Sequence, residues 1–496
     1  MDGTSSGTEE PVAAGDWAAQ VRETHTGLVL LLGDRAFKAK KPVVTDFLDF
    51  STTADRERAC IQEIALNRRL APDSYLGLAH FTDPQGGPAE PVIVMRRHPD
   101  NTRLASLVSG GEPVMDQLLD IARVLAHFHQ LATRGPMIDA RGSAEAVWAR
   151  WQENLDELQR YGNDLAASET LGNVERMARQ FVAGRKALFD QRIAEGRIVD
   201  GHADLLADDI FCLPDGPALL DCLEFDDQLR YVDGVDDAAF LAMDLEFLGH
   251  KDLADYFVDQ YRKYRGDPVP RSLIDFYIAY RAVVRAKVDC VRVSQGHRAA
   301  AADVRRHLGI AEEHLRAGTV RLVVVGGGPG SGKTTLSTAL AARVGAEVIS
   351  TDDVRRQLRE AGVLSGDPGR LDEGLYSPKN VSAVYDHVLE QAQLRLSRGR
   401  SVILDGTWRD PQQRDRARDL ARLSSAPLVE LNCTVPVAEA AARVEHRPPS
   451  NSDATPVIAA ALAGADRVGR RVHDIDTARQ PTECVRAAEE IYWRAT

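Results

Sequence analysis

The sequence predicts two units in series: an α+β unit, with a small β-rich lobe before a large helical lobe, then an α/β unit on a parallel sheet. Three observations predict it. Short apolar β-patterned runs crowd about the first hundred residues. Helical periodicity dominates from Met115 to about Ala317. From Arg321 onward, apolar strands alternate with helical segments, as parallel α/β folds do. A chain of 496 residues can bury more than one core. The boundary falls near residue 318, after the charged helical segment Arg305 to Arg316. That gives a frayed tail over 1–16, a first domain over 17–317 and a second over 318–496.

Each element has its own signal. Leu28-Val-Leu-Leu-Leu32, a Gly33-Asp34 turn and Arg35-Ala-Phe-Lys-Ala-Lys40 read as a hairpin within Gly27 to Val44. Ser, Thr and Asp caps open a helix at Thr53, which closes at Leu70 before Pro72. Pro91 to Met95 is a strand. Helices follow, Val114 to Leu131 and Ala144 to Tyr161 among them, interrupted by short strands around Arg197-Ile-Val and Ala218-Leu-Leu. Helices resume at Val235, and Arg321-Leu-Val-Val-Val begins the second unit.

Composition narrows the function classes. A formal net charge of −13 argues against general nucleic-acid or membrane-surface binding, because polyanions are repelled. Cys60, Cys212, Cys222, Cys290, Cys433 and Cys484 are scattered with no Cys-x-x-Cys pair, which fits reduced thiols in the cytoplasm. Met1 to Asp16 lacks the basic start and apolar run of a signal peptide, and no apolar run reaches bilayer length.

The strongest motif is Gly327-Gly-Pro-Gly-Ser-Gly332-Lys333-Thr334, which matches G-x-x-x-x-G-K-[ST] at every fixed position. It follows an apolar strand and opens a helix from Thr335 to Arg343, the context a phosphate-binding loop needs. Successive N–H groups must surround phosphate oxygens in a loop with little room for Cβ atoms. Gly327, Gly328, Pro329, Gly330, Ser331 and Gly332, with Lys333, Thr334 and Thr335, are therefore the expected nucleotide contacts. Lys333 would place its ammonium on the β/γ-phosphates of ATP, and Thr334 would offer its hydroxyl to Mg²⁺.

Downstream residues indicate the kind of P-loop protein. Glu347-Val-Ile-Ser ends at Thr351-Asp352-Asp353-Val354-Arg355, and a carboxylate at that strand end lies where ligands collect in a doubly wound sheet. Asp352 would accept a proton from a substrate hydroxyl, with Arg355 on an anionic part of that substrate. The same carboxylates also suit a helix cap, and the two roles are compatible. Ser401-Val-Ile-Leu-Asp405 has the form of a Walker B strand, with Asp405 holding Mg²⁺. Arg443 and Arg447, four apart before Pro448, share a helix face suited to closing over phosphate or simply to facing solvent. Residues 320 to 496 resemble the small P-loop kinases of the gluconate, shikimate and adenylylsulfate kinase group and the polynucleotide-kinase-like ATPases. The resemblance implies transfer of the γ-phosphoryl of ATP to a hydroxyl, with an aspartate like Asp352 as base and a lid carrying arginines. No ring-forming ATPase landmark stands beside it.

A second constellation lies earlier. Asp200-Gly-His202-Ala-Asp204 is followed by Asp209 and, after Leu219-Leu, by Asp221. A phosphotransferase needs one carboxylate to orient the attacking hydroxyl and another to hold metal. Between Asp200 and Glu246, fourteen Asp and Glu face one basic residue, Arg230, a density that metals, caps or a cationic substrate would neutralise. Residues 17 to 315 resemble the aminoglycoside-phosphotransferase-like kinases, which share the bilobal protein-kinase fold. The resemblance makes Arg35 to Lys41 the strand of the ATP-contacting lysine, leaving Lys38 and Lys40 both open, since alternate strand residues share a side. It makes Glu63 their ion-pair partner, Pro91 to His98 the hinge, Asp204 the catalytic aspartate and Asp221 a metal ligand. The wording Lys-x-Lys-Lys-Pro-Val, Phe-Leu-Asp-Phe-Ser and Leu-Glu-Phe-Asp-Asp-Gln-Leu-Arg-Tyr is similar to a bacterial subgroup in which such a domain is fused to a P-loop kinase domain. The fold class implied is an α+β protein-kinase-like bilobal domain followed by an α/β P-loop NTPase domain.

Two positions depart from that family. Asp209 stands where it places Asn; a carboxylate still binds Mg²⁺, but it adds a like charge beside Asp204, which should raise one of their pKa values. Only His25-Thr26-Gly27 precedes Leu28 where a glycine-rich loop would be. Two functions follow. One is an ATP- and Mg²⁺-dependent phosphotransferase acting on a small hydroxyl-bearing molecule. The other is a regulatory ATPase whose degenerate kinase-like domain recognises a ligand or partner.

Overall fold

The structure is a computed structural model. It describes residues 19–23, 27–43, 49–82, 84–161, 165, 167–367, 373–446 and 472–496. The tail expected over 1–16, His25 and Thr26 of the loop ahead of Leu28, and Arg447 lie outside the described residues. By contact, the chain divides into two compact units, residues 1–141 with 196–268, and residues 142–195 with 269–496.

The first unit opens with an antiparallel sheet of β1 (Gln20–Glu23), β2 (Gly27–Leu32), β3 (Arg35–Lys40), β4 (Tyr75–Phe81) and β5 (Glu90–Arg96), in the order β1-β2-β3-β5-β4. The β2–β3 hairpin turns through Gly33 at φ +55°, the left-handed value such a turn demands. The helix Thr53–Asn67 is capped by Thr52, whose hydroxyl accepts from Asp55 N. It ends three residues earlier than the sequence suggested, because residues 68–70 form a turn before Pro72. One face of the sheet and that helix bury Leu31, Cys60, Ile64, Tyr75, Ile93 and Met95.

Four short strands follow: β6 (Ile198–Asp200), β7 (Ile210–Leu213), β8 (Gly216–Leu219) and β9 (Tyr231–Asp233). They pair as β6 with β9 and β7 with β8. The expected strand near Ala218 is thus one half of a hairpin, and the one near Arg197 pairs antiparallel with the distant β9. The helices Met115–Leu131, Gly234–Phe247 and Lys251–Arg265 complete this unit.

The second unit holds a parallel sheet of β10 (Leu322–Gly326), β11 (Glu347–Ser350), β12 (Val402–Asp405), β13 (Leu428–Thr434) and β14 (His473–Asp476), in the order β11-β12-β10-β13-β14. Every pairing is parallel. Its core includes Val323, Val325, Leu340, Ile403 and Leu431. The contact division differs from a boundary at 318, for a visible reason. Helices Ser168–Gly184 and Arg271–Ser294 press on this α/β fold: Arg185 Nη1 donates to Ser424 O (2.8 Å), and Ser272 Oγ donates to Gly399 O (2.6 Å).

Candidate functional site

The central strand β10 is buried throughout and ends in the loop from Gly327 to Gly332. The helix Lys333–Val344 starts directly after it, two residues before the expected Thr335. The loop therefore sits at a helix N-terminus, where orphan N–H groups and the helix dipole attract anions. Two glycines are forced. A Cβ at Gly330 (φ +78°) would lie 2.3 Å from Ala440 O, and one at Gly327 (φ +141°) would lie 2.5 Å from Ser331 Oγ. The Thr477 hydroxyl donates to Ser331 O (2.7 Å) and so braces the loop from the end of β14.

Around the loop lies a cavity of about 790 Å³ that reaches from Asp352 across Lys333 and Thr334 to Arg443, Thr477 and Arg479. Thr334 donates its hydroxyl to Asp405 Oδ2 (2.7 Å), while Asp405 Oδ1 is buried with no hydrogen-bond partner. A hydroxyl and a carboxylate with a spare oxygen fit Mg²⁺, a hard cation that takes oxygen ligands and keeps several waters. Asp352 begins the helix Thr351–Glu360, where Ser350 caps it by accepting from Asp352 N. Arg355 Nη1 donates to Asp352 Oδ1 (2.6 Å) and its guanidinium stacks 4.5 Å from the Tyr376 ring, while its Nε is buried without a partner. Arg443 Nη2 donates to Glu439 Oε1 (2.6 Å) and Thr477 O (2.8 Å), at the cavity wall.

In the first unit, Lys38 Nζ lies 2.8 Å from Glu63 Oε1 and 2.6 Å from Asp221 Oδ1. Lys40 Nζ lies 2.5 Å from Glu63 Oε2 and pairs with Glu224 Oε1 as well. His202-Ala203-Asp204 is held by its backbone. Asp237 accepts from His202 N (2.6 Å) and Ala203 N (2.8 Å), with Ala203 at φ +69°. His129 bridges Asp237 (2.9 Å) to the Tyr261 hydroxyl (2.8 Å). Leu223 N donates to His202 O (3.1 Å) and Leu220 N to Asp209 O (3.0 Å), which ties the Asp221 segment to the loop bearing Asp204 and Asp209.

The uncharacterized protein Rv2004c of Mycobacterium tuberculosis (strain ATCC 25618 / H37Rv) is 58% identical over 475 residues, covering 96% of this chain and 95% of that protein. The uncharacterized protein Mb2027c of Mycobacterium bovis (strain ATCC BAA-935 / AF2122/97) matches to the same extent. The chain belongs to their family. A family model described as AAA domain (AAA_33) matches residues 322–470, which contain the P-loop, Asp352, Asp405 and Arg443. Among solved structures, a choline/ethanolamine kinase family protein from Mesorhizobium loti covers 61% of this chain and 94% of its own, at 14% identity and a TM-score of 0.34. A gluconokinase from Sinorhizobium meliloti 1021 covers 35% of this chain and 92% of its own, at 21% identity and a TM-score of 0.26. Strand order and helix order give the fold class directly: α+β with kinase-like elements first, then α/β with a parallel sheet and a P-loop.

Electrostatics separate the carboxylates. Burial pulls the Lys38 ammonium down, but Asp221 and Glu63 overcome it and hold it well above the usual lysine value. The charge of Lys38 in turn keeps Asp221 below the ordinary range. Burial, then the charges of Asp221 and Asp204, push Asp209 well above that range, the direction expected for Asp in an Asn position. Burial also raises Asp405, against Lys333 and the Thr334 hydrogen bond. Among the described residues no three His, Cys, Asp or Glu side chains converge into a ready-made metal cage.

The structure brings together Lys38, Lys40, Glu63, Asp204, Asp209 and Asp221 in the first unit, and the P-loop, Asp352, Asp405 and Arg443 in the second. Thr477, Arg479 and Glu224 were not singled out in the sequence. Thr477 and Arg479 follow a four-residue strand with a single apolar residue, Ile475, a weak signal; Glu224 sits in an acidic run where nothing marks one member.

Proposed function

We propose that the chain is an ATP-dependent phosphotransferase whose C-terminal site moves the γ-phosphoryl of ATP to a hydroxyl of a small molecule. One observation carries the reading: a single cavity is lined by the P-loop lysine and by Asp352, a carboxylate just past the end of β11. Lys333 neutralises the β/γ-phosphates, and the loop N–H groups hold them. Asp352 takes the proton as the acceptor oxygen bonds to phosphorus and the bond from phosphorus to the ADP leaving oxygen breaks. Arg355 fixes the Asp352 carboxylate and offers its remaining N–H to an anionic part of the acceptor. Arg443 steadies charge on the transferring group. Thr334 and Asp405 would hold Mg²⁺, which would supply neutralisation of phosphate charge.

The pairing of Lys38 with Glu63 and Asp221 supports a second nucleotide site in the first unit, where Lys38 would meet phosphate, Asp221 metal and Asp204 an acceptor hydroxyl. The six cysteines are all free thiols, which supports a reducing cytoplasm; no helix among the described residues is long and apolar enough to cross a membrane. The net charge of −13 supports a small-molecule acceptor rather than nucleic acid in general.

The test is a metabolite-library screen with γ-labelled ATP on the intact chain and on Lys333→Ala, Asp352→Asn and Asp204→Ala. Label transfer lost in the first two variants and kept in the third supports the reading. Transfer that survives Lys333→Ala contradicts it.

A further inference from the structure

The first unit contains a five-member chain of alternating charge, Asp221–Lys38–Glu63–Lys40–Glu224. Its two lysines are neighbours on one face of β3, yet their surroundings differ. Lys38 keeps 16% of its side chain exposed, and its partner Asp221 keeps 43%. Lys40 keeps 2%, lies between Glu63 (0%) and Glu224 (16%), and has the Phe50 ring 5.7 Å from its ammonium. A lysine so enclosed cannot reach a ligand without leaving Glu224 uncompensated and Glu63 with Lys38 alone, a costly state. Lys38 sits at the open end, where an anion can replace Asp221 as its partner.

The helix that carries Glu63 also grips the segment after Asp221 elsewhere. Asn67 Oδ1 accepts from Cys222 N (2.9 Å), and Arg69, in the turn just past the helix, donates from Nη2 to Cys222 Sγ (3.2 Å). Asp221 itself stands at φ +64°, a left-handed conformation that a non-glycine residue keeps only when its neighbours enforce it. Asn67 holds position 222, and the Glu63–Lys40–Glu224 bridge holds position 224, so the segment directly after the strained residue has two ties to one helix.

We propose that the two lysines divide the work: Lys38 is the nucleotide-contacting lysine, and Lys40 is a positioning residue that, through Glu224, holds the Asp221 segment in its metal-binding geometry. This rests on the reading of the first unit as a nucleotide site. The arrangement also gives the acidic run around Glu224 a specific task, beyond neutralising metals or capping helices.

The experiment measures binding of the non-hydrolysable analogue AMPPNP to the intact chain carrying Lys333→Ala, with and without Mg²⁺. Lys38→Met should weaken binding about tenfold or more in both conditions, the loss expected for a hydrogen bond to a charged group. Lys40→Met and Glu224→Gln should each remove only the Mg²⁺-dependent gain, and the double variant should lose no more than either alone, as coupled partners do. Should Lys40→Met alone fail to fold, the double variant carries the test, because it removes the contact without leaving Glu224 charged and unpaired. Lys40→Met losing affinity in both conditions, and adding to Glu224→Gln, would overturn the division of labour alone. No AMPPNP binding by the Lys333→Ala chain would overturn the first-unit nucleotide site together with it.

Discussion

Thr334 and Asp405, on different elements and 71 positions apart, share a hydrogen bond of 2.7 Å. It joins the first turn of the P-loop helix to the end of β12, and it leaves the second Asp405 oxygen buried without a partner. Asp405→Ala should therefore raise the Mg²⁺ concentration needed for half-maximal turnover about tenfold or more, as loss of a charged ligand does. A magnesium titration of γ-labelled ATP turnover checks this, and an unchanged midpoint would remove Asp405 from the metal site.

Asp352→Asn keeps the size of the side chain but removes its basicity. Phosphoryl transfer should fall about 10²- to 10⁴-fold, the usual share of general base catalysis. Equilibrium binding of MgATP should stay within about twofold, because Asp352 faces the acceptor. Comparable loss in both would make Asp352 a structural partner of Arg355 instead.

Gly330→Ala drives a methyl carbon to 2.3 Å from Ala440 O at a φ of +78°. Strain plus clash should cost about 1–3 kcal/mol. Nucleotide affinity should drop with the melting temperature. A variant that binds as tightly as wild type would mean the loop tolerates a different shape.

Asp237 accepts from the backbone of the His202-Ala203 turn and from His129. Burial raises its carboxyl, but these contacts outweigh burial and hold it well below the ordinary range. Its folded value thus lies below its unfolded one, about 3.9. Its contribution is complete above that pH and is lost as pH falls through the folded value. Asp237→Ala should destabilise the first unit by about 3–5 kcal/mol at neutral pH. Thermal melts between about pH 2 and 7 should show a shallower acid limb for the variant than for wild type. Parallel limbs would assign acid sensitivity to other carboxylates.

The sequence exposed what is contiguous and hid what is assembled. Gly327 to Thr334 is one uninterrupted motif with a strand before it and a helix after it, so position and chemistry could be read together. Asp352 and Asp405 were legible because each ends an apolar run at a predictable place beside that motif. Lys40 and Glu224 are 184 positions apart, and no local pattern joins them. β4 escaped notice because Gly77 and a bulge between Tyr75 and Gly77 break its alternation. The membership of residues 142–195 in the second unit rests on approaches between segments far apart in sequence, such as Gly184 against Ser424, where a Cβ would come within 2.3 Å of a carbonyl. Helical periodicity reports that a face is apolar, and not which core it joins.

That approach is itself testable. Gly184→Ala should lower the melting temperature of the unit that contains the P-loop, although position 184 is 143 residues before Gly327. A melt monitored with bound nucleotide reads the effect. An unchanged melt would mean that the segment at Ser424 gives way to the added methyl at no cost.

The central claim is that the P-loop of the second unit drives ATP turnover. Its most direct test is turnover of γ-labelled MgATP by the intact chain, wild type against Lys333→Ala. The account predicts a fall of about 10²-fold or more on losing the ammonium that neutralises the γ-phosphate. Turnover that persists at the wild-type rate in Lys333→Ala would contradict it.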